Sequence, residues 1–385
     1  MRILTCFISS LLVAGCSGTD LPLLDQGAPD LAVPSDLAVP GDLAVTVDGA
    51  VTDGMSQACG DPDAGVWSEL RCTGLYSDWA SRTIDPANKL FVPTYKLWSD
   101  GASKRRWIYL PPGTQIDVSD MNGWTFPVGT KLWKEFSLNL GADGGGVDTI
   151  IETRLLWKRA SGWTMTTYAW SPDQLTALEL PGGMVDVPNT NHYEIPSADN
   201  GQCNTCHGGR PDRVLGFEAI SLAEATPLGW SDLQAASLLT STNGNHNLAA
   251  SALIVPGNAT EKPALGYLHA NCGNACHHPG GQGPFSMRVD IVAGAAPANV
   301  QSTPAFGGAI NVASGFRPSG GTGNYYRIRP TDVTRSTIPF RMNTRGGYPQ
   351  MPPVDTHVVD TAGLGLVTAW INAMTAAPYP APSPP

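Results

Sequence analysis

Two thiols and an imidazole within five consecutive residues, Cys203-Asn204-Thr205-Cys206-His207, restrict this chain more than any stretch of its hydropathy. Covalent haem attachment needs two cysteines three positions apart, to form thioethers with the vinyl groups, and an adjacent histidine to ligate iron from one face. An exported chain with this pattern is expected to carry haem c on Cys203, Cys206 and His207. Two other readings compete. A disulfide or redox pair wants a βαβ context, which the flanking sequence lacks. Half of a zinc site wants a second close pair of Cys or His.

A longer pattern follows at Cys272-Gly273-Asn274-Ala275-Cys276-His277. For Cys272, Cys276 and His277 to hold a second haem, the additional residue must be absorbed as a bulge; a local disulfide is the alternative. The context favours haem. Tyr267-Leu268-His269-Ala270-Asn271 leads in like a helix, and Gln350-Met351-Pro352-Pro353 precedes a helical stretch from Asp360 to Met374, with Asp360 or Thr361 as its cap. That order resembles the cytochrome c arrangement, in which a Met thioether, here Met351, is the second axial ligand; the bland reading of Met351 is a buried gap-filler. For the first motif the second ligand is open among His192, His246, Met184 and Met287, with His192 ranked first. His269, His278 and His357 read as hydrogen-bonded loop or helix residues. No nucleophile motif or phosphate-cradling loop occurs, so no catalytic residue is assigned.

The N-terminus sets the compartment. Arg2 precedes an apolar run from Ile3 to Ala14, too short to span a bilayer but flanked like a secretion signal. Val13-Ala14-Gly15-Cys16 resembles the lipobox of bacterial lipoproteins, which implies removal of residues 1–15 and acylation of Cys16. An ordinary signal peptide with an unmodified cysteine is the alternative. Ser17 in place of Asp favours, by the same resemblance, the outer membrane. Residues 16–57 repeat Asp30-Leu31-Ala32-Val33-Pro34 as Asp36-Leu37-Ala38-Val39-Pro40, a composition that cannot bury a core and reads as an extended tether. Cys59 and Cys72 are expected to form a disulfide in such a compartment. With 23 Lys+Arg against 33 Asp+Glu and no basic run, nucleic acid is not an expected partner. No later stretch is long and apolar enough to cross a membrane, leaving the lipid as the expected anchor.

Beyond the tether, residues 58–195 alternate short aromatic-rich runs, such as Arg106-Trp107-Ile108-Tyr109-Leu110, with turns such as Pro111-Pro112-Gly113. The spacing suggests a β-sandwich or barrel-like domain. Its tryptophans read as packing rather than a binding platform. Lys104-Arg105-Arg106 reads as a solvated strand end, with haem propionates or an acidic partner as the alternative. A first haem segment is expected over 196–260, an α-helical cytochrome c-like domain over 261–376 and a Pro-rich tail over 377–385. The fold class is thus α+β and multidomain. Within it, Leu222 to Leu239 looks helical.

From Thr73 onward the chain resembles a group of Gram-negative envelope haem proteins within the cytochrome c superfamily. The residues carrying this are Thr73-Gly74-Leu75-Tyr76, Leu97-Trp98-Ser99-Asp100-Gly101-Ala102-Ser103-Lys104-Arg105-Arg106, Phe126-Pro127-Val128-Gly129-Thr130, Cys203 to His207, Tyr267-Leu268-His269-Ala270-Asn271-Cys272 and Met351-Pro352-Pro353. The chain departs from the group in the longer spacing of its second Cys pair. That group has no settled activity, so the resemblance implies fold and cofactor but no substrate. Electron transfer with envelope redox partners is the leading expectation. A dihaem oxidoreductase such as a peroxidase, or a β-domain binding module with accessory haem, are the alternatives.

Overall fold

The computed structural model describes Cys59, Pro62 and residues 65–140, 146–210 and 212–375. The expected signal peptide, Cys16, the tether and the Pro-rich tail lie outside the described residues. The chain divides at Gln57/Ala58, and Ala58–Pro385 is one compact unit.

Among the described residues of this unit ten strands form. Strands β1 (Tyr76–Asp78) and β2 (Thr83–Ile84) make a small hairpin, and β5 (Ile116–Asp117) pairs in parallel with β10 (Leu239–Thr240). The remainder build one antiparallel sheet in the order β3 (Lys89–Leu90), β4 (Ser103–Tyr109), β6 (Lys131–Asn139), β7 (Asp148–Arg159), β8 (Gly162–Trp170) and β9 (Ala177–Glu179). Register places Trp107, Trp133, Leu155 and Thr166 in one cross-strand row, and Ile108, Leu132, Leu156 and Met165 in a row on the opposite face. Alternation along each strand therefore makes both faces apolar, and both must be covered.

They are covered by different things. Leu70, Leu75 and Tyr76 pack onto the Trp107–Trp133–Leu155 face, and Cys59 is disulfide-bonded to Cys72 beside them. The other face receives Phe217, Trp230, Leu265, Leu268 and Trp370 in a single core with Ile108 and Leu132. That core runs straight across residue 195, where the sequence suggested a domain boundary. The sheet is also not the expected sandwich or barrel. Its edges, β3 and β9, are two and three residues long and do not meet. A layer of helices and loops, not a second sheet, buries its inner face. The architecture is α+β. No tryptophan between residues 67 and 170 is exposed; Trp107, Trp124, Trp133 and Trp170 are buried.

The helices are short: α1 (Gln202–His207), α2 (Ala219–Leu222), α3 (Trp230–Ala235), α4 (Glu261–Leu268), α5 (Pro304–Ala309), α6 (Thr337–Met342) and α7 (Thr361–Ala373). The helix expected over Leu222 to Leu239 is broken because Pro227 and Gly229 intervene; α3 restarts where Asp232 accepts the Gly229 N–H at 2.8 Å. Asp360 caps α7 by accepting the Gly363 N–H at 2.8 Å. Helix α7 packs on α4, and a Cβ on Gly363 would lie 2.1 Å from the Tyr267 ring. The absent side chain lets the two helices approach.

Candidate functional site

Helix α1 is a single turn and a half carrying the whole first motif. It projects Cys203, Cys206 and His207 into a cavity of about 170 Å³ between the inner face of the sheet, the second motif and the segment Pro352–Thr356. The His207 Nδ1–H donates to the Arg213 carbonyl. That bond fixes the tautomer and leaves Nε2 as the lone pair available to a metal. Burial drops the His207 pKa to about 4, helped by the cations of Lys134 and Arg154. The ring is therefore neutral at physiological pH, the state that can ligate.

The second motif begins where α4 widens into a π-helical turn, His269–Gly273. Asn274 N–H donates to His269 O at 2.8 Å and His277 N–H to Cys272 O at 2.8 Å, both spanning five residues instead of four. The wide turn absorbs the additional residue of the Cys-x-x-x-Cys-His spacing and returns His277 to the backbone of the first cysteine. The His277 ring lies 4.7 Å from that of Phe285, with Arg327 3.8 Å above the Phe285 face. Gly283 presses on the imidazole so closely that a Cβ there would sit 2.2 Å from Nδ1. Burial, with Arg341 and Arg327 nearby, lowers the His277 pKa to about 4.

The four cysteines of the motifs are unbridged. Cys276 lines the first motif's cavity, whereas Cys272 and His277 do not. Cys276 Sγ donates to the Thr205 carbonyl at 3.9 Å, and its closeness to Cys206 raises the Cys206 thiol's pKa and lowers its own. Burial raises Cys203 and pushes Cys272 up to about 12. Among the described residues no three His, Cys, Asp or Glu side chains converge as a site for a bare metal ion. A haem iron, already held by four porphyrin nitrogens, asks the protein for one or two ligands only.

The expected second ligands are placed less simply. Met351 anchors its loop by donating its N–H to Arg341 O at 3.0 Å; the residues after it line the cavity but Met351 does not. His192 is exposed, its Nδ1 2.6 Å from Asp186. His246 bonds Ser241, Met184 is exposed and Met287 is buried; none of the four lines the cavity. The methionine that does is Met165, on β8. His269 is held by Glu218 and Val289 N, His278 by Pro279 O and His357 by Glu194, all three being hydrogen-bonded.

Sequence reasoning missed the charged wall. Arg106, Lys134 and Arg154 are Cα partners in a row across β4, β6 and β7, and all three line the cavity. Arg106 is buried rather than at a solvated strand end. Arg154 pairs with Glu152 at 2.6 Å, whose carboxylate also accepts from Tyr193 and Thr167. Asp355, across the cavity, is pushed up to about 6 by burial and by Glu194 and Glu152, against Arg154. The signal was present: Lys134 and Arg154 occupy the same alternation as Leu132, Phe136 and Leu156. No family model, curated protein or solved structure matches this chain.

Proposed function

We propose that this chain is a c-type cytochrome with two haem attachment motifs, working as an electron relay in the cell envelope. The observation that carries the reading is the set of three groups on α1. Two thiols and a neutral imidazole with its Nε2 free face one walled cavity. The packing of α7 on the helix that leads into the second motif supports a cytochrome c-like arrangement of residues 261–376. When bound, haem supplies a one-electron couple at its iron; the chain supplies attachment, axial ligation and the charge around the ring. The cavity is smaller than the roughly 300–1,000 Å³ of an ordinary ligand pocket, so its walls have to part to admit the ring. The lipid anchor on Cys16, an outer-membrane location and envelope redox partners belong to the same proposal.

Mass measurement of the mature protein, made in a host with haem-attachment machinery, tests it. One haem increment on each of the peptides holding Cys203/Cys206 and Cys272/Cys276 is expected. A colourless protein without Soret absorbance would sink the reading. One observation favours a second reading, a haem-dependent oxidoreductase such as a peroxidase: none of the four expected second ligands of the first motif lines the cavity. Carbon monoxide separates the two, because reduced iron with an open position binds it and a six-coordinate relay does not. A carbohydrate-binding or protein-binding aromatic platform has less support, since no tryptophan of the sheet is exposed and Trp107, Trp133 and Trp170 are buried.

A further inference from the structure

Like charges directly opposite one another in a sheet repel, and a buried cation without a counter-charge is costly. The row Arg106–Lys134–Arg154 breaks both expectations at once. Glu152 compensates Arg154. Arg106, only 6% exposed, and Lys134 make no ion pair among the described residues. Lys134 rests its ammonium 4.7 Å from the Phe136 ring, an interaction that does not neutralise it. Desolvation drives its pKa well below the usual lysine range, with Arg106 and Lys104 adding to the effect. The buried Arg106 charge and a Lys134 amine whose protonated form is penalised on the adjacent strand would both be stabilised by a dianion held where both can reach it.

The same two side chains line the cavity that holds Cys203, Cys206 and His207. Resting on the haem reading of that motif, we infer that Arg106 and Lys134 bind the two propionate carboxylates of the haem carried by Cys203 and Cys206, with the Arg154–Glu152 pair flanking them. The carboxylates neutralise the row, and the row in turn compensates negative charge beside the iron. Losing one cation leaves a propionate uncompensated, which favours the oxidised iron and lowers its midpoint potential.

The test uses the haem-loaded protein. Peptide mass first establishes whether the Cys203/Cys206 peptide carries haem; if it carries none, the cytochrome reading and this inference fall together. With haem attached, Lys134→Met and Arg106→Met should each lower one midpoint potential by about tenfold in the reduced-to-oxidised ratio, about 59 mV for a one-electron couple. The visible spectrum should not change, and Lys134→Arg should restore the potential. Wild-type potentials in both variants, with haem in place, overturn the inference and leave the cytochrome reading standing. A wild-type potential that shifts with added inorganic phosphate at constant ionic strength, and ceases to do so in Lys134→Met, assigns the row to a free anion and also overturns it. Should Arg106→Met fail to fold, the Lys134→Met and Lys134→Arg pair decides alone.

Discussion

The thiol of Cys276 donates to the Thr205 carbonyl at 3.9 Å, which sets it against the helix turn of Cys206, so the second cysteines of the two motifs line one cavity although they sit on separate elements of the chain. Two sulfurs so placed have one obvious alternative fate to haem. Chain made without haem-attachment machinery and exposed to a thiol–disulfide oxidant should form a Cys206–Cys276 disulfide, with two electrons and two protons passing to the oxidant. Non-reducing peptide mapping would show it. The haem-loaded protein should show none, because its sulfurs are spent in thioethers.

Two glycines of α7 should respond oppositely to alanine. At Gly363 a Cβ would lie 2.1 Å from Tyr267, whereas at Gly365 nothing comes within 4 Å. Alanine gains about 1 kcal/mol of helix propensity at either site, but forcing α7 off α4 costs about 1–3 kcal/mol. Gly363→Ala should therefore lower the melting temperature and Gly365→Ala raise it. Equal shifts would mean that α4 and α7 do not pack as described.

Gly283→Ala should disturb the second motif alone. The new methyl would meet the His277 ring at 2.2 Å from Nδ1 and push the imidazole off its place against Phe285. On the proposed cytochrome reading, the expected readout is loss or perturbation of one haem's spectrum while the other stays unchanged. A variant indistinguishable from wild type would argue that His277 does not need this position.

Asp355 should leave a mark on the pH dependence of stability. Its folded pKa is raised to about 6, against roughly 3.9 in an unfolded chain, so the folded state binds more protons between those values. Stability from this group is present below the unfolded value and falls as pH rises through about 6. Asp355→Asn should stabilise the protein at neutral pH and flatten the melting curve between roughly pH 4 and 6. Thermal melts across that range check both, and an unchanged slope would remove Asp355 from the account.

Much of the site was legible in the sequence. A motif such as Cys203 to His207 encodes its own geometry, because five consecutive residues on one helical turn cannot separate. The Asp360 cap and the inward tryptophans were readable for a similar reason: each depends on local spacing or on a strong apolar preference. The helix expected over Leu222 to Leu239 failed on a local signal that was given too little weight, Pro227 and Gly229. The sandwich failed because alternation specifies that a strand has two faces but not what covers each one.

Chain order and residue type alone determined the two Cys/His motifs, the cysteine pair near the N-terminal end of the compact unit and the α+β character. Only the tertiary structure decided that Cys276 joins the wall of the first motif's cavity, that Arg106 and Lys134 look into it, and that Met165 rather than His192 lines it. The reason is sheet register. Which residues of β4, β6 and β7 stand opposite one another depends on the pairing between strands, not on the local sequence of any one of them. A shift of one residue would have turned every one of those cations to the other face.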